Sequence, residues 1–162
     1  MDSFINSIQN VCNTYTDNMM IFIKIKEIME KINPLEFNEL LKNYNYVDQQ
    51  IVKKSDINGD YHYIRNIIYT SKLFDIILID WMERSSTRIH DHPDKGCIVK
   101  ILDGILLEET YLNNLSLIKF EYLKKNNIGY KISNKILHKL TCQKKALSLH
   151  IYIPGQYKAN YY

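Results

Sequence analysis

From Tyr61 onward the sequence is a succession of short runs rich in β-branched and aromatic residues, each closed by a turn signal. That pattern restricts the chain to a mainly β, antiparallel core. The runs are Tyr61 to Tyr69, Leu73 to Met82, Cys97 to Leu102, Ile105 to Tyr111, Ser116 to Leu123, Ile128 to Ile132 and Ala146 to Ile153. Asn58-Gly59 opens the series, Asp103-Gly104 reads as a two-residue hairpin, and Asn126-Asn127 and Lys144-Lys145 mark later connections. Roughly eight short strands with tight turns predict a closed or nearly closed antiparallel barrel of jelly-roll type.

Before that series the apolar residues Ile21, Ile25, Ile28, Met29 and Ile32 recur at helical spacing, then break at Asn33-Pro34. Asn33, Pro34 and Glu36 form a capping-box arrangement that starts another helix through Leu40, Leu41 and Tyr44. Two or three short helices over residues 1–55 are therefore expected as a cap on a barrel at 60–155, in one domain spanning 1–162. A chain of 162 residues, 46% hydrophobic, is long enough for one core and too short for two ordinary ones.

A net charge of +3, from 18 Lys, 3 Arg and 18 acids scattered singly and in pairs, argues against a surface that tracks nucleic-acid phosphates. No apolar run approaches the roughly 20 residues of a membrane span, so no membrane partner is expected. Three cysteines (Cys12, Cys97, Cys142) without a signal peptide predict free thiols and a cytoplasmic, reducing setting. A monomer is expected.

The chemistry concentrates in few residues. Arg88-Ile89-His90-Asp91-His92 carries two of only five histidines at i and i+2, which on a strand share one face about 6.5 to 7 Å apart and can converge on one metal ion. In His92-Pro93-Asp94-Lys95-Gly96, Pro at the second position of a type I turn sends the chain back on itself, so Cys97 returns close to His92. It is either a thiol beside the metal or a small buried apolar residue. His138, in an apolar strand, is either a third ligand or a satisfied core histidine. Ser148, His150 and Tyr152 alternate with Leu147, Leu149, Ile151 and Ile153, so the three polar groups share a face. Turned inward they would need a hydrogen-bonded row, and turned outward they would be solvated. Tyr63 and Arg65 show the same parity, and an inward guanidinium requires an anion, either a substrate carboxylate or a distant Asp or Glu.

Together these segments resemble the cysteine dioxygenase family of cupin-fold thiol dioxygenases, from about Tyr63 to Pro154. Ile89-His90-Asp91-His92, Cys97 and Gly104 resemble the first cupin motif in the form where cysteine replaces the usual glutamate. Ser148-Leu149-His150-Ile151-Tyr152-Ile153-Pro154 is similar to the family's serine, histidine, tyrosine and proline segment, and Tyr63-Ile64-Arg65-Asn66 to its carboxylate-holding stretch. The resemblance implies Fe(II) held by His90, His92 and His138, a substrate carboxylate held by Arg65 and Tyr63, and a thioether crosslink between Cys97 and Tyr152. It also implies that His150 and Ser148 orient Tyr152, and that the Ile153-Pro154 bond is cis. Arg84 stands where the motif expects Gly, Cys142 where it expects Asn, and the sequence stops soon after Pro154, a difference that bears on the pocket's cover and on substrate selectivity.

Three neutral imidazoles would leave an Fe(II) ion its full charge and three open positions, enough for a thiolate, an amine and O2. The implied reaction takes L-cysteine and O2 to cysteine sulfinate. The alternatives are oxidation of another small thiol such as 3-mercaptopropionate, or a cupin that binds zinc or a ligand without oxygenase activity, since three imidazoles also suit Zn(II).

Overall fold

The computed structural model describes residues 1–42, 45–54, 61–131 and 136–162. Three helices come first: α1 (Asp2–Thr14), α2 (Asn18–Glu30) and α3 (Pro34–Lys42). Asp17 caps α2 by accepting the Met20 N–H at 2.8 Å, and Ile21, Ile25 and Met29 form its buried stripe. At α3, Asn33 Oδ1 accepts from Leu35 N at 3.1 Å, while Glu36 takes the Asn33 side-chain amide at 3.0 Å in place of the backbone donor a capping box would use. The expected continuation to Tyr44 and the turn at Asn58-Gly59 lie outside the described residues.

Seven strands follow: β1 (Asp48–Lys54), β2 (Tyr61–Thr70), β3 (Asp75–Trp81), β4 (Cys97–Leu112), β5 (Leu117–Lys124), β6 (Ile128–Lys131) and β7 (Ile136–Tyr152). They form one antiparallel sheet in the order β1-β2-β3-β7-β4-β5, with β6 on β4. Among the described residues the sheet curls around an interior without closing. The helical region therefore ends earlier than the expected residue 55, because Gln49, Gln50, Lys53 and Lys54 disguise a polar edge strand that pairs with β2 from Asp48↔Ile67 to Lys54↔Tyr61.

Two further expectations are corrected. Asp103-Gly104 is no hairpin: both sides of it pair with β7, Asp103↔Leu147 and Ile105↔Lys144, so the chain bulges and runs on. Gly104 takes φ +80°, where an added Cβ would meet the Lys145 carbonyl oxygen at 2.1 Å. Lys144-Lys145 likewise lies within β7, exposed at that bulge.

Side-chain alternation sorts the sheet into two apolar layers. Ile76, Leu78, Leu149, Ile151 and Ile153 pack with Ile8, Ile21, Ile25 and Met29 of the helices, whereas Ile77, Ile79, Trp81, Val99, Ile101 and Leu140 fill the interior. Lys100 is buried between the layers' supports, its ammonium donating to the Met29 and Ile32 carbonyls at 2.6 and 2.9 Å, which ties the C-terminal end of α2 to β4.

Candidate functional site

Residues 82–96 bring the paired histidines to the sheet. They run beside the first half of β7 through Arg84 N to Cys142 O (3.0 Å), Thr87 N to Leu140 O (2.9 Å) and the reciprocal His90–His138 backbone bonds (3.0 Å each). His90 and His92 therefore sit on an irregular segment with an isolated bridge at His90↔His138, where the sequence predicted a strand. The rings still converge. His92 Nε2 lies 3.0 Å from His138 Nε2, which lies 3.1 Å from His90 Nε2, and all three residues are buried.

The outer nitrogens fix which way the rings are protonated. His90 Nδ1 donates to the Arg88 carbonyl at 2.9 Å, and His138 Nδ1 donates to the Glu108 carboxylate at 2.7 Å. Their Nε2 atoms are thus left as lone pairs facing one another. Burial holds the His92 and His138 imidazoles well below their ordinary pKa, with the neighbouring rings acting in the same direction, and lowers that of His90. Two lone pairs turned toward a point where the His92 ring also converges make a donor set that fits a divalent metal ion.

Beside His90 lies a cavity of about 490 Å³, lined among others by Tyr63, Arg65, Ile79, Tyr152, Tyr157 and Tyr161. Tyr63, Arg65 and Ile67 line it from alternate positions of β2, while Asn66 and Ile68 are buried on the opposite side, as the parity predicted. Arg65 Nε is buried without a hydrogen-bond partner among the described residues. Arg65 also lines the cavity, so its guanidinium can meet an anion that enters. Burial, together with Tyr161 nearby, pushes the Tyr63 hydroxyl up to about 12, so it enters such a contact as a donor.

Ser148, His150 and Tyr152 turn inward. The indole of Trp81, which can only donate, gives its Nε1–H to Ser148 Oγ at 2.7 Å, and Ser148 passes its own proton toward His150 Nε2 at 2.7 Å. His150 Nδ1 then carries the ring proton and faces Cys97 Sγ at 3.9 Å. Burial, reinforced by Arg65 and His90, drops His150 to about 3, which keeps it neutral. Cys97 and Tyr152 are directly paired across β4 and β7, which sets the phenol beside the thiol. Burial pushes both groups' pKa values up. The turn before Cys97 spans Pro93 to Gly96, closed by Gly96 N to Pro93 O at 2.8 Å, so Pro occupies its first position where the sequence predicted the second. The Ile153-Pro154 bond is cis.

The profile of the cysteine dioxygenase type I family matches residues 8–162. The chain belongs to the cysteine dioxygenase family. Cysteine dioxygenase type 1 of Bos taurus is 29% identical over 77% of this chain and 67% of its own length, and that of Rattus norvegicus 28% over the same shares. Among solved structures, an RmlC-like cupin from Shewanella frigidimarina superposes with a TM-score of 0.51 over 70% of this chain and 92% of that one, at 11% identity. A protein with a double-stranded β-helix domain from Klebsiella pneumoniae gives 0.52 over 67% and 88%, at 12% identity. These place the chain in the cupin fold.

Within the cysteine dioxygenase frame, the two departures have structural sites. Arg84 adopts φ 68°, a left-handed conformation that explains why glycine suits this position. Cys142 is packed in the interior layer, its thiol 3.3 Å from the Lys144 carbonyl. Three groups were not singled out from the sequence. Trp81 gives its N–H to Ser148, and Glu108 supports His138 while pairing with Lys131 at 2.9 Å. Segment 156–162 crosses the cavity, with Tyr161 bridging His90. The acidic pair Glu108-Glu109 was the available signal for the second, since one of two adjacent strand residues must point inward.

Proposed function

We propose that the protein oxidises L-cysteine with O2 to cysteine sulfinate, using Fe(II) held by His90, His92 and His138. The observation that carries this reading is the convergence of the His90, His92 and His138 nitrogens, with His90 lining a cavity that Tyr63 and Arg65 also line. Three neutral imidazoles from His90, His92 and His138 would leave a divalent ion its full charge, which supports Fe(II) with room for a thiol and O2. When bound, the ion would supply a Lewis acid for the substrate thiol and a place for O2 beside it.

The chain's own groups do the rest. Arg65 and Tyr63 grip the carboxylate and so orient the thiol toward the three rings. Tyr152, kept protonated by its buried surroundings, offers a hydroxyl proton next to the reacting sulfur, and the Trp81, Ser148, His150 relay holds Cys97 and its partner Tyr152 in place. The balance is simple: one thiol and one O2 give one sulfinic acid, with both oxygen atoms on sulfur. The same pairing of Cys97 with Tyr152 supports a thioether from Sγ to a ring carbon, a step that removes two hydrogens and needs O2 as acceptor.

Oxygen-electrode measurements on iron-loaded protein with cysteine, 3-mercaptopropionate and cysteamine test the reading. Uptake with cysteine, one O2 per sulfinate formed, is expected. Faster uptake with 3-mercaptopropionate would reassign the substrate, and tight zinc binding with no uptake would make the protein a non-oxygenase cupin.

A further inference from the structure

Segment 156–162 is fastened to the residue that separates two metal-ligating histidines. Asp91, itself buried, accepts from Tyr157 Oη, from Asn160 N at 2.8 Å and from Asn160 Nδ2 at 2.7 Å. Its own N–H donates to the Asn160 carbonyl at 3.3 Å, and Tyr162 N donates to the Ile89 carbonyl at 3.0 Å. At the other end Gln156 N donates to Asp75 Oδ2 at 2.7 Å. The segment is thus tied down on both sides of the cavity, and Tyr157, Lys158, Ala159 and Tyr161 form part of its wall.

Within that wall Tyr161, half exposed at the edge of the cavity, stands beside His90. Its backbone bridges His90, its ring centroid is 6.1 Å from the His90 ring, and the Arg88 guanidinium lies 5.0 Å over its face. Tyr63 and Arg65 line the same cavity as Tyr161. We propose that Tyr161 is a specificity-determining residue, its ring covering the cavity beside His90 and its hydroxyl joining Tyr63 and Arg65 on the substrate carboxylate. Asp91 is the latch that holds it there. The inference rests on the reading of the cavity as the cysteine site.

The phenol has two separable roles, the ring as cover and the hydroxyl as a third donor to the carboxylate. Tyr161→Phe keeps the first and loses the second. A donor lost from a charged acceptor weakens binding roughly tenfold. In the full metal-loaded protein, Tyr161→Phe should raise the KM for cysteine about that much, leave the KM for cysteamine unchanged, and leave kcat and bound metal at parent levels. Tyr161→Ala and the latch variant Tyr157→Phe/Asn160→Ala should raise both KM values. The latch variant should also speed hydrogen exchange at the Asn160 and Tyr162 amides, which a change in substrate contact alone would not. A Tyr161→Phe protein with the parent's cysteine KM would overturn the carboxylate role, and unchanged KM values in Tyr161→Ala would overturn the cover. If the parent turns over neither thiol, the reaction assigned above is wrong. Calorimetric binding of cysteine to the metal-loaded proteins without O2 then makes the same comparison, and equal affinity in all variants would sink the proposal.

Discussion

Glu108 links the metal-binding rings to the surface through one buried carboxylate, with His138 Nδ1 on one oxygen and Lys131 on the other. A carboxylate behind an imidazole raises the basicity of the ligating nitrogen and fixes its tautomer, effects usually worth tenfold to a hundredfold in metal affinity. Glu108→Gln retains the shape and an acceptor oxygen but removes the charge, so metal affinity should fall by about that factor in a chelator competition. Affinity equal to the parent's would reduce Glu108 to a space-filling role. The histidines themselves were legible, since an HxH pair in a chain with five histidines stands out. Glu108 was not, because Glu109 beside it has the same composition and only the strand register decides which one turns inward. Arg65 was legible through parity with Tyr63. Arg65→Ala should erase most of the preference for cysteine over cysteamine, roughly tenfold to a hundredfold, and Arg65→Lys should restore it only partly because an ammonium cannot make the forked contact. Comparison of kcat/KM for the two thiols decides. For Cys97 and Tyr152, tryptic peptides of protein that has turned over should appear joined and lighter by two hydrogens; peptides that stay separate in active protein would remove the crosslink.

The strands taught a different lesson, that local turn chemistry is outvoted by pairing. Asp103-Gly104 and Lys144-Lys145 carry the composition of connections, yet they face each other in β4 and β7 and form a matched bulge within two long strands. No local pattern distinguishes a hairpin from a bulge when the deciding contact lies 40 or so residues away in sequence. β3 was read correctly because its near-continuous burial, Asp75 to Trp81, leaves the apolar run of a strand covered on both faces. Where the segment carrying the histidines first meets β7, Arg84 spends its left-handed backbone on a side chain that is exposed. A residue with a Cβ pays about 1 kcal/mol or more for that conformation, partly offset by the extra freedom glycine gains when unfolded. Arg84→Gly should therefore raise stability by about 0.5–1 kcal/mol with no loss of metal binding, read from urea unfolding midpoints. A destabilised variant would mean that the Arg84 side chain contributes more than its backbone costs.

Over the whole molecule, the buried neutral imidazoles couple folding to pH. His150 is held near 3 by burial, Arg65 and His90, while the same ring in the unfolded chain titrates near 6.5. Between those values the unfolded state binds a proton that the folded state refuses, so the stabilisation is complete above about 6.5 and is lost as pH falls toward 3. His90, His92 and His138 are shifted in the same direction, and metal bound to their neutral nitrogens deepens the loss, since protons compete with the ion. Asp80, whose half-buried carboxyl is raised by burial, works against this trend with a single group. Each such imidazole contributes a slope of about 1.4 kcal/mol per pH unit within its window. Urea unfolding of the metal-free protein should therefore show the midpoint falling steeply from pH 7 to pH 5, and His150→Gln should make the fall shallower by one proton's share. A midpoint that stays flat over that interval would mean that the rings accept protons in the folded state, and with them the lone pairs on which the metal centre depends would be gone.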